Sequence, residues 1–523
     1  MQRGFLVVVC LLMTSGLGLA DDDRPIREKV RDVERHMRQI IDTAEPSVVA
    51  VVVSSNPRYP ALHASERTTP GRLGDYPVAQ EGFGRGFRGL PAVDPKLDLT
   101  NWQNVADNQF GSGVVLDSDG LILTNYHLVE GAKKIYVKTA AGKGSYADIH
   151  AADSRSDLAV LKLLTPPPGM RAIKIAEGRI SDGPSGEKVN ITRGMWVVSL
   201  GHPHATGFTD GVPSASWGIL SNVRRRAATS VREDQRYKPF HQYNCLLQTD
   251  ARITLGCSGA ALLNLDGDLI GLSTPIAALT GAETGGGFAI PMDPNYRKII
   301  AVLKQGKEVE YGFLGVTFDG GRGMRGFQQP RIVEDGLAVR DVTPGTPAAI
   351  AKIVGDARNN GAGDIIMAVD GNRIREQDDL FLYVGAALAG NVVKMTVVRG
   401  GQRRMVDVPL AKFPHDMPWI ASVRPPALHG LRVDYNSVFL LKAENRELPP
   451  SVLVRELEPG SRAEMKFKEL GEAPKGGWLI THVGMQVVTT PNEFVAAFTG
   501  KSSVVLKVTD PNDPRVVREV ILP

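Results

Sequence analysis

The turn Gly256-Cys257-Ser258-Gly259, which precedes the apolar run of residues 260–263, constrains this chain more than any other stretch. A serine in a tight glycine turn exposes its hydroxyl, and the backbone N–H groups of Gly256 and Ser258 can converge on one point. Two such donors stabilise the oxyanion of a tetrahedral intermediate. A Gly-x-Ser-Gly string alone is most often an ordinary turn. Its interpretation therefore depends on the rest of the chain.

Two segments upstream of this turn supply the partners that a nucleophilic serine needs. His127 closes the segment Thr124-Asn125-Tyr126-His127, and Asp157 opens an apolar run at residues 158–163. Histidine can take a proton from serine near neutral pH, and an acid partner fixes the histidine tautomer. Taken singly, they are ordinary capping, core or turn residues. Together, in the order His, Asp, Ser, they predict a catalytic triad.

Short apolar runs separated by turn signals indicate a mainly β fold. The chain has 523 residues with 56 glycines and 34 prolines, which predicts about three domains rich in turns. Residues 111–116 and 121–124 form a predicted hairpin around Asp119-Gly120. Similar runs continue to residue 273, and a helix follows at 296–304. This pattern favours a pair of β-barrels.

The last two hundred residues contain an internal repeat. Gly312-Phe313-Leu314-Gly315-Val316 and Gly363-Asp364-Ile365-Ile366 in residues 311–410 have weaker counterparts at Gly430-Leu431 and Gly477-Trp478-Leu479-Ile480. A repeat of about a hundred residues is too long for a solenoid unit, so it predicts tandem domains. Residues 414–426 contain four prolines and form the predicted linker.

Composition and the first residues suggest where the protein works. Residues 1–20 carry Arg3, an apolar run and Gly18-Leu19-Ala20, which together predict a cleaved secretory signal. No later segment is long and apolar enough to predict a membrane span. A net charge of +4 argues against a dedicated nucleic-acid binder. We therefore expect a periplasmic or secreted protein.

Three other features point to no site of their own. His202-Pro203-His204 lacks an evident third ligand, so no metal site is predicted. Arg224-Arg225-Arg226 is most simply a solvated turn. Cys245 and Cys257 leave a disulfide open, because sequence does not give its geometry.

With these motifs placed, the chain resembles the HtrA family of exported serine proteases. The resemblance is carried by Gly111-Ser112-Gly113, by the segments ending at His127 and opening at Asp157, by Gly256-Cys257-Ser258-Gly259, and by the repeat. It implies a chymotrypsin-like double six-stranded β-barrel followed by two PDZ (α+β) domains. The implied limits are a signal peptide at 1–20, a helical segment at 21–46, a protease domain at 47–305 with a long loop at 56–100, and PDZ domains at 306–413 and 414–523.

The same resemblance implies the activity. His127 would be the general base, Asp157 its orienting partner and Ser258 the nucleophile, with an oxyanion hole from Gly256 and Ser258. It implies unfolded polypeptides as substrates, no cofactor, and trimers or multiples of trimers. Peptide C-termini would bind the first PDZ domain beside a helix at 379–388. The expected binding loop consists of Tyr311, Gly312, Phe313, Leu314 and Gly315.

The serine loop departs from the usual Gly-Asn-Ser-Gly-Gly-Pro of that family at Cys257, Ala260 and Ala261. No triad atom or oxyanion N–H is removed by these changes. They leave open a second reading, in which a weakened or inactive relative serves as a chaperone or peptide-binding scaffold. If the loop is loosened, Cys257→Asn with Ala260→Gly is expected to raise activity. An esterase is a weaker reading, because residues 262–264 predict a strand rather than the helix after a nucleophile elbow.

Overall fold

A computed structural model gives the architecture of residues 26–522. It does not describe residues 57–97, 102, 105–107, 181–189, 227–239, 241–242, 244, 275–286, 319–331, 334–335, 357–362, 415–419, 442–448, 472, 475–476 and 512. The predicted signal and most of the predicted loop at 56–100 therefore lie outside the described residues.

A helix and a closed six-stranded barrel begin the described chain. Helix α1 spans Ile26–Ala44, and Ile40 and Ala44 on its last turns are buried. Strand β1 is fully buried, as its run of valines predicts. The barrel closes because β5 pairs with both β4 and β6. Its strands are β1 (Val48–Ser54), β2 (Gln109–Val115), β3 (Leu121–Asn125), β4 (Lys134–Thr139), β5 (Gly144–Asp153) and β6 (Leu158–Leu163), with the short helix α2 (Tyr126–Val129) after β3.

A second closed barrel of six strands follows. Two short strands, β7 (Arg179–Ile180) and β8 (Asn190–Ile191), connect the barrels. The barrel strands are β9 (Trp196–Gly201), β10 (Ser214–Arg225), β11 (Leu246–Thr249), β12 (Ala261–Leu263), β13 (Leu269–Thr274) and β14 (Gly287–Pro291). Helix α3 (Pro294–Lys304) then packs its apolar face on the core. The predicted barrel pair and its closing helix are confirmed.

In the described residues, the first PDZ domain combines a sheet of six strands, two two-stranded pairings and two helices. Its order in the chain is β15 (Gly312–Phe313), β16 (Val316–Thr317), β17 (Ile332–Val333), β18 (Gly336–Ala338), β19 (Asp341–Val342), α4 (Pro347–Ile350), β20 (Ile365–Val369), β21 (Asn372–Arg373), α5 (Gln377–Ala386), β22 (Val392–Arg399), β23 (Gln402–Pro409) and β24 (Ala411–Lys412). Strand β16 pairs with β19, and β15 pairs with β24.

From its first helix onward, the second PDZ domain repeats the order helix, two strands, helix, two strands. After β25 (Ile420–Ala421) come β26 (Leu431–Tyr435), β27 (Val452–Leu457), α6 (Arg462–Lys468), β28 (Leu479–Val483), β29 (Gln486–Val487), α7 (Pro491–Phe498), β30 (Val504–Asp510) and β31 (Asp513–Leu522). Strand β25 of the linker pairs with β5 of the first barrel. Among the described helices none is long and apolar enough to cross a membrane.

The arginine run after β10 is not a solvated turn. Arg224 donates to Asp379, whose side chain is 2% exposed, and lies 3.9 Å from Glu376. Arg226 donates to Asp378 and lies 3.6 Å from Glu376. These carboxylates sit at the first turn of α5, so the prediction for Arg224 and Arg226 was wrong. The two arginines join the second barrel to the first PDZ domain.

Removing these ion pairs is expected to loosen α5. The double substitution of Arg224 and Arg226 by glutamine leaves Asp379 buried without its charged partner. A charge-assisted hydrogen bond is worth about 1.5–3 kcal/mol, which corresponds to tenfold or more in local opening. Hydrogen exchange of the α5 amides should rise by at least that factor, while α7 exchange stays unchanged. Equal protection of α5 in both proteins would contradict a structural role for the pairs.

Candidate active site

The first two triad residues are placed by the ends of neighbouring strands. Strand β3 pairs with β6, so His127 just after β3 lies beside Asp157 just before β6. Asp157 has φ 57°, a left-handed conformation that is uncommon outside glycine but that aspartate tolerates. Its carbonyl accepts hydrogen bonds from Tyr126 N (3.1 Å) and Asn125 Nδ2 (3.2 Å). The strand pairing therefore fixes both residues.

The structure brings all three predicted triad residues together. His127 Nδ1 lies 3.0 Å from Asp157 Oδ1 and 2.9 Å from Oδ2. On the other side of the ring, Nε2 lies 3.2 Å from Ser258 Oγ. Asp157 Oδ1 also accepts from His127 N at 3.0 Å, which fixes the carboxylate. This geometry lets the imidazole take the serine proton while the aspartate holds the opposite nitrogen.

Electrostatics favour the charged form of the imidazole. Burial alone would lower the pKa of His127, but the charge of Asp157 and the hydrogen bond between them outweigh burial and raise it. The Asp157 side chain is only 7% exposed, so its charge is poorly screened. An imidazolium that forms during reaction is therefore stabilised.

The pH dependence follows from this raised pKa. His127 must be neutral to accept the serine proton, so kcat/KM should fall as pH drops through a value above that of ordinary histidine. Asp157→Asn removes the charge that raises the pKa. It is expected to move the acidic limb to lower pH and to lower kcat by about 10⁴-fold. A pH series of kcat/KM for both proteins tests this. An acidic limb that stays in place in Asp157→Asn would contradict the pairing.

The carbonyls around Ser258 are all directed into the protein. Leu255 O accepts from His204 N at 2.7 Å, Gly256 O from Ser112 Oγ at 3.0 Å, and Ser258 O from Ser112 N at 2.7 Å. Within the described part of the chain, no acceptor binds the N–H of Gly256 or Ser258. The described residues therefore leave the hydrogen-bonding capacity of both predicted oxyanion donors unused.

The three departures in the serine loop fit their surroundings. Cys257 is 5% exposed, and its Sγ lies 3.9 Å from Thr254 Oγ1. Ala260 N donates to Cys257 O (2.9 Å) and to Ser273 Oγ (3.1 Å), and Ala261 begins β12. A Cβ on Gly201 would lie 2.4 Å from Ala260 Cβ, so glycine at 201 makes the room. Both Cys245 and Cys257 are free thiols, so the possible disulfide is not formed.

The predicted peptide loop divides into two parts. Gly315 has φ +86°, its carbonyl accepts from Thr343 N (3.0 Å), and Leu314 O accepts from Ala348 N (2.9 Å). Gly312 and Phe313 form β15, whereas Tyr311 is 2% exposed and its hydroxyl donates to Asp153 of the protease domain. The helix expected at 379–388 is α5. Tyr311 thus faces the barrel, and residues 314–315 form the connection between β15 and β16.

The second PDZ domain has the same turn. Gly430 has φ +85°, its carbonyl accepts from Glu458 N at 2.8 Å, and His429 O accepts from Ala463 N at 3.3 Å. A Cβ at Gly430 would lie 2.1 Å from Ser461 Cβ, as one at Gly315 would lie 2.3 Å from Thr346 Cβ. The backbone at Gly430 is therefore similar to that at Gly315, although the sequence match at Gly430-Leu431 is weak.

Sequence reasoning missed the residues that support the triad. Ser112 holds two carbonyls of the serine loop, and Thr274 Oγ1 donates to Asp157 Oδ2 at 3.4 Å. Ser112 stood in a motif that was noted, Gly111-Ser112-Gly113, but its contact with Gly256 spans 144 positions. No local pattern shows such a contact.

Comparison with known proteins agrees with this geometry. A model of the trypsin-like peptidase domain matches residues 111–272, and a PDZ domain model matches residues 312–410. The "Putative serine protease HhoA" of Synechocystis sp. is 33% identical over 383 residues, which cover 71% of this chain and 86% of that protein. A "Probable periplasmic serine endoprotease DegP-like" of Pseudomonas fluorescens is 29% identical over 468 residues, covering 87% and 86%.

A solved structure titled "HtrA-type protease AlgW with decapeptide" covers 72% of this chain and 99% of its own, with 24% identity and a TM-score of 0.44. The match to HhoA spans both the peptidase and the PDZ regions and most of that relative's length. This chain belongs to the HtrA family of serine proteases, which carry a trypsin-like domain followed by PDZ domains.

Proposed function

We propose that this protein is an exported endopeptidase that cleaves unfolded polypeptides with His127, Asp157 and Ser258. The observation that carries the proposal is the continuous contact from Asp157 through His127 to Ser258 Oγ, with distances of 2.9 and 3.2 Å. Ser258 Oγ attacks the scissile carbonyl as His127 Nε2 takes its proton. The same nitrogen then gives that proton to the leaving amine. Water repeats the sequence to release the acyl group.

The N–H groups of Gly256 and Ser258 would receive the oxyanion. Each such donor is worth roughly 3 kcal/mol when it already points at the developing charge. The N–H of Gly256 shares a peptide with Leu255 O, which accepts from His204 N at 2.7 Å. The N–H of Ser258 shares one with Cys257 O, which accepts from Ala260 N at 2.9 Å and from Ser273 Oγ, so flipping either peptide would break these bonds. No feature of the described site favours the inactive scaffold over the enzyme.

The test of this proposal is covalent labelling of Ser258 with a fluorophosphonate, followed by peptide mapping. Reaction requires an activated serine, so labelling of Ser258 with loss of casein cleavage is the expected result. A protein that is folded but neither labels nor cleaves casein would overturn the proposal.

The first PDZ domain is proposed to bind the C-terminal carboxylate of a peptide at residues 313–315. Strand β16 is paired with β19 on one side, so a peptide could add along the other. We expect free-acid peptides to bind better than their amides. Gly315→Ala should weaken binding at least tenfold, because its Cβ would lie 2.3 Å from Thr346. Gly400→Ala is the matched control: Gly400 also has positive φ, but its Cβ meets nothing within 4 Å.

Fluorescence titration of acid and amide peptides measures both effects. Equal affinity for the two forms, or an unaffected Gly315→Ala, would contradict the carboxylate site.

Location, domain limits and assembly belong to the same proposal. The names of the relatives and the apolar segment at 1–20 support a periplasmic protein with a cleaved signal. The matched ranges 111–272 and 312–410 fall within the proposed domains 47–305 and 306–413. Membership of the family supports trimers or multiples of trimers, which light scattering of the purified protein would test.

A further inference from the structure

We propose that Tyr311, at the start of the first PDZ domain, is a positioning residue for Asp157 and acts through Asp153 and Ser156. The inference rests on the proposed function and extends it. It assigns to the PDZ domain a hydroxyl group that supports the triad.

One carboxylate oxygen connects the two domains. Asp153 Oδ2 accepts the hydroxyl of Tyr311, the N–H of Ser156 at 2.8 Å, and the hydroxyl of Ser156. Tyr311 and Ser156 are each 2% exposed, so water does not compete for these bonds. Ser156 is the residue directly before Asp157. A PDZ side chain is thus two hydrogen bonds away from the backbone that carries the catalytic carboxylate.

Arg155 strengthens the same junction. Its guanidinium carbon lies 4.9 Å from the ring centre of Phe240, 4.7 Å from Tyr311 and 4.1 Å from Phe413. Tyr311 and Phe413 come from opposite ends of the PDZ domain, and Phe413 N donates to Tyr311 O at 2.7 Å. Cation–π contacts of a desolvated arginine contribute to holding this loop. Residues 153–156 are therefore held from the PDZ side.

The held loop matters because the carboxylate of Asp157 must stay beside His127. Asp157 also has a left-handed φ of 57°, which residues other than glycine adopt uncommonly, so its neighbours help to fix it. Asn125 and Tyr126 bind its carbonyl from one side, and Asp153 holds the preceding residue, Ser156, from the other. If the Ser156 side relaxes, the carboxylate moves away from His127. A displacement of about 1 Å in a catalytic group costs up to about 10²-fold in rate.

Tyr311→Phe in the full-length protein separates positioning from simple docking. The variant keeps the ring against Phe240, 5.0 Å between centres, and against Arg155, and removes only the hydroxyl. We expect kcat on a short amidated peptide to fall about tenfold with KM unchanged. The acidic limb of kcat/KM should also move to lower pH, because a displaced Asp157 raises the pKa of His127 less.

Tyr296→Phe is the matched control. It removes another buried tyrosine hydroxyl, which lies 3.4 Å from Cys245 Sγ and takes no part in the proposed link. Its kcat and acidic limb should equal those of the wild type. Thermal unfolding of all three proteins checks that they are folded.

A double-mutant cycle with Asp153→Asn tests the route. If Tyr311 acts through Asp153, Tyr311→Phe should have little further effect in the Asp153→Asn background. Additive effects, or a folded Tyr311→Phe with wild-type kcat and acidic limb, would overturn the assignment while leaving the protease function in place. Absence of Ser258-dependent hydrolysis in the wild type would instead overturn the proposed function and this assignment with it.

Discussion

Replacing Ser258 by alanine is expected to lower kcat for peptide hydrolysis by about 10⁴- to 10⁶-fold. The substitution removes the hydroxyl oxygen that lies 3.2 Å from His127 Nε2, and with it the acyl-enzyme route. The N–H of residue 258 stays, so the oxyanion hole and substrate binding should survive. KM or peptide affinity should therefore change little, and residual hydrolysis should come from the remaining donors alone.

Ser258→Ala should be as stable as the wild type even though it loses activity. Ser258 is 6% exposed and its carbonyl, not its side chain, is bound to Ser112, so alanine fits the turn. The unfolding midpoint should match that of wild type and of Ser502→Ala, an exposed serine in the second PDZ domain. Purified Ser258→Ala that cleaves casein at the wild-type rate would remove the basis of the triad.

Much of this site could be predicted from the sequence because its chemistry follows strand order. A triad needs three residue types at strand ends, and the hairpin signal at Asp119-Gly120 placed His127 after a strand. Gly256 was predictable because its φ of +91° lies in the region that favours glycine. Ser258 was predictable because it belongs to the same Gly-x-Ser-Gly turn. The departure at Cys257 suggested a loosened loop. The anchoring contacts from Ser112 and His204 lie too far along the chain to be seen in it.

Contacts between domains could not be predicted from local patterns. Arg224 and Asp379 are 155 positions apart, and each resembles an ordinary surface charge in its own segment. Tyr311 stands in a loop motif whose spacing predicts a turn but not the direction of each side chain. Only the packed structure shows that its hydroxyl reaches Asp153 rather than a peptide.

The contacts of Lys412 between the domains could not be predicted from local sequence patterns either. Their loss has a larger energetic consequence. The Lys412 side chain is 1% exposed, and Nζ lies 3.0 Å from Glu308, 3.2 Å from Glu310 and 3.0 Å from Asp434. Arg455 adds a second cation at 3.0 Å from Glu308. Residues from the start and end of the first PDZ domain thus share one buried charge cluster with the second.

Lys412→Met is expected to destabilise this junction by about 3–5 kcal/mol, because it leaves three carboxylates around one remaining arginine. Methionine keeps most of the volume, so the loss comes from charge rather than from a cavity. Lys501→Met, at an exposed lysine of the second PDZ domain, should change stability by less than about 0.5 kcal/mol. Denaturant unfolding, with limited proteolysis near residues 414–426, measures the difference. A Lys412→Met protein as stable and as protease-resistant as Lys501→Met would show that the cluster does not hold the two PDZ domains together.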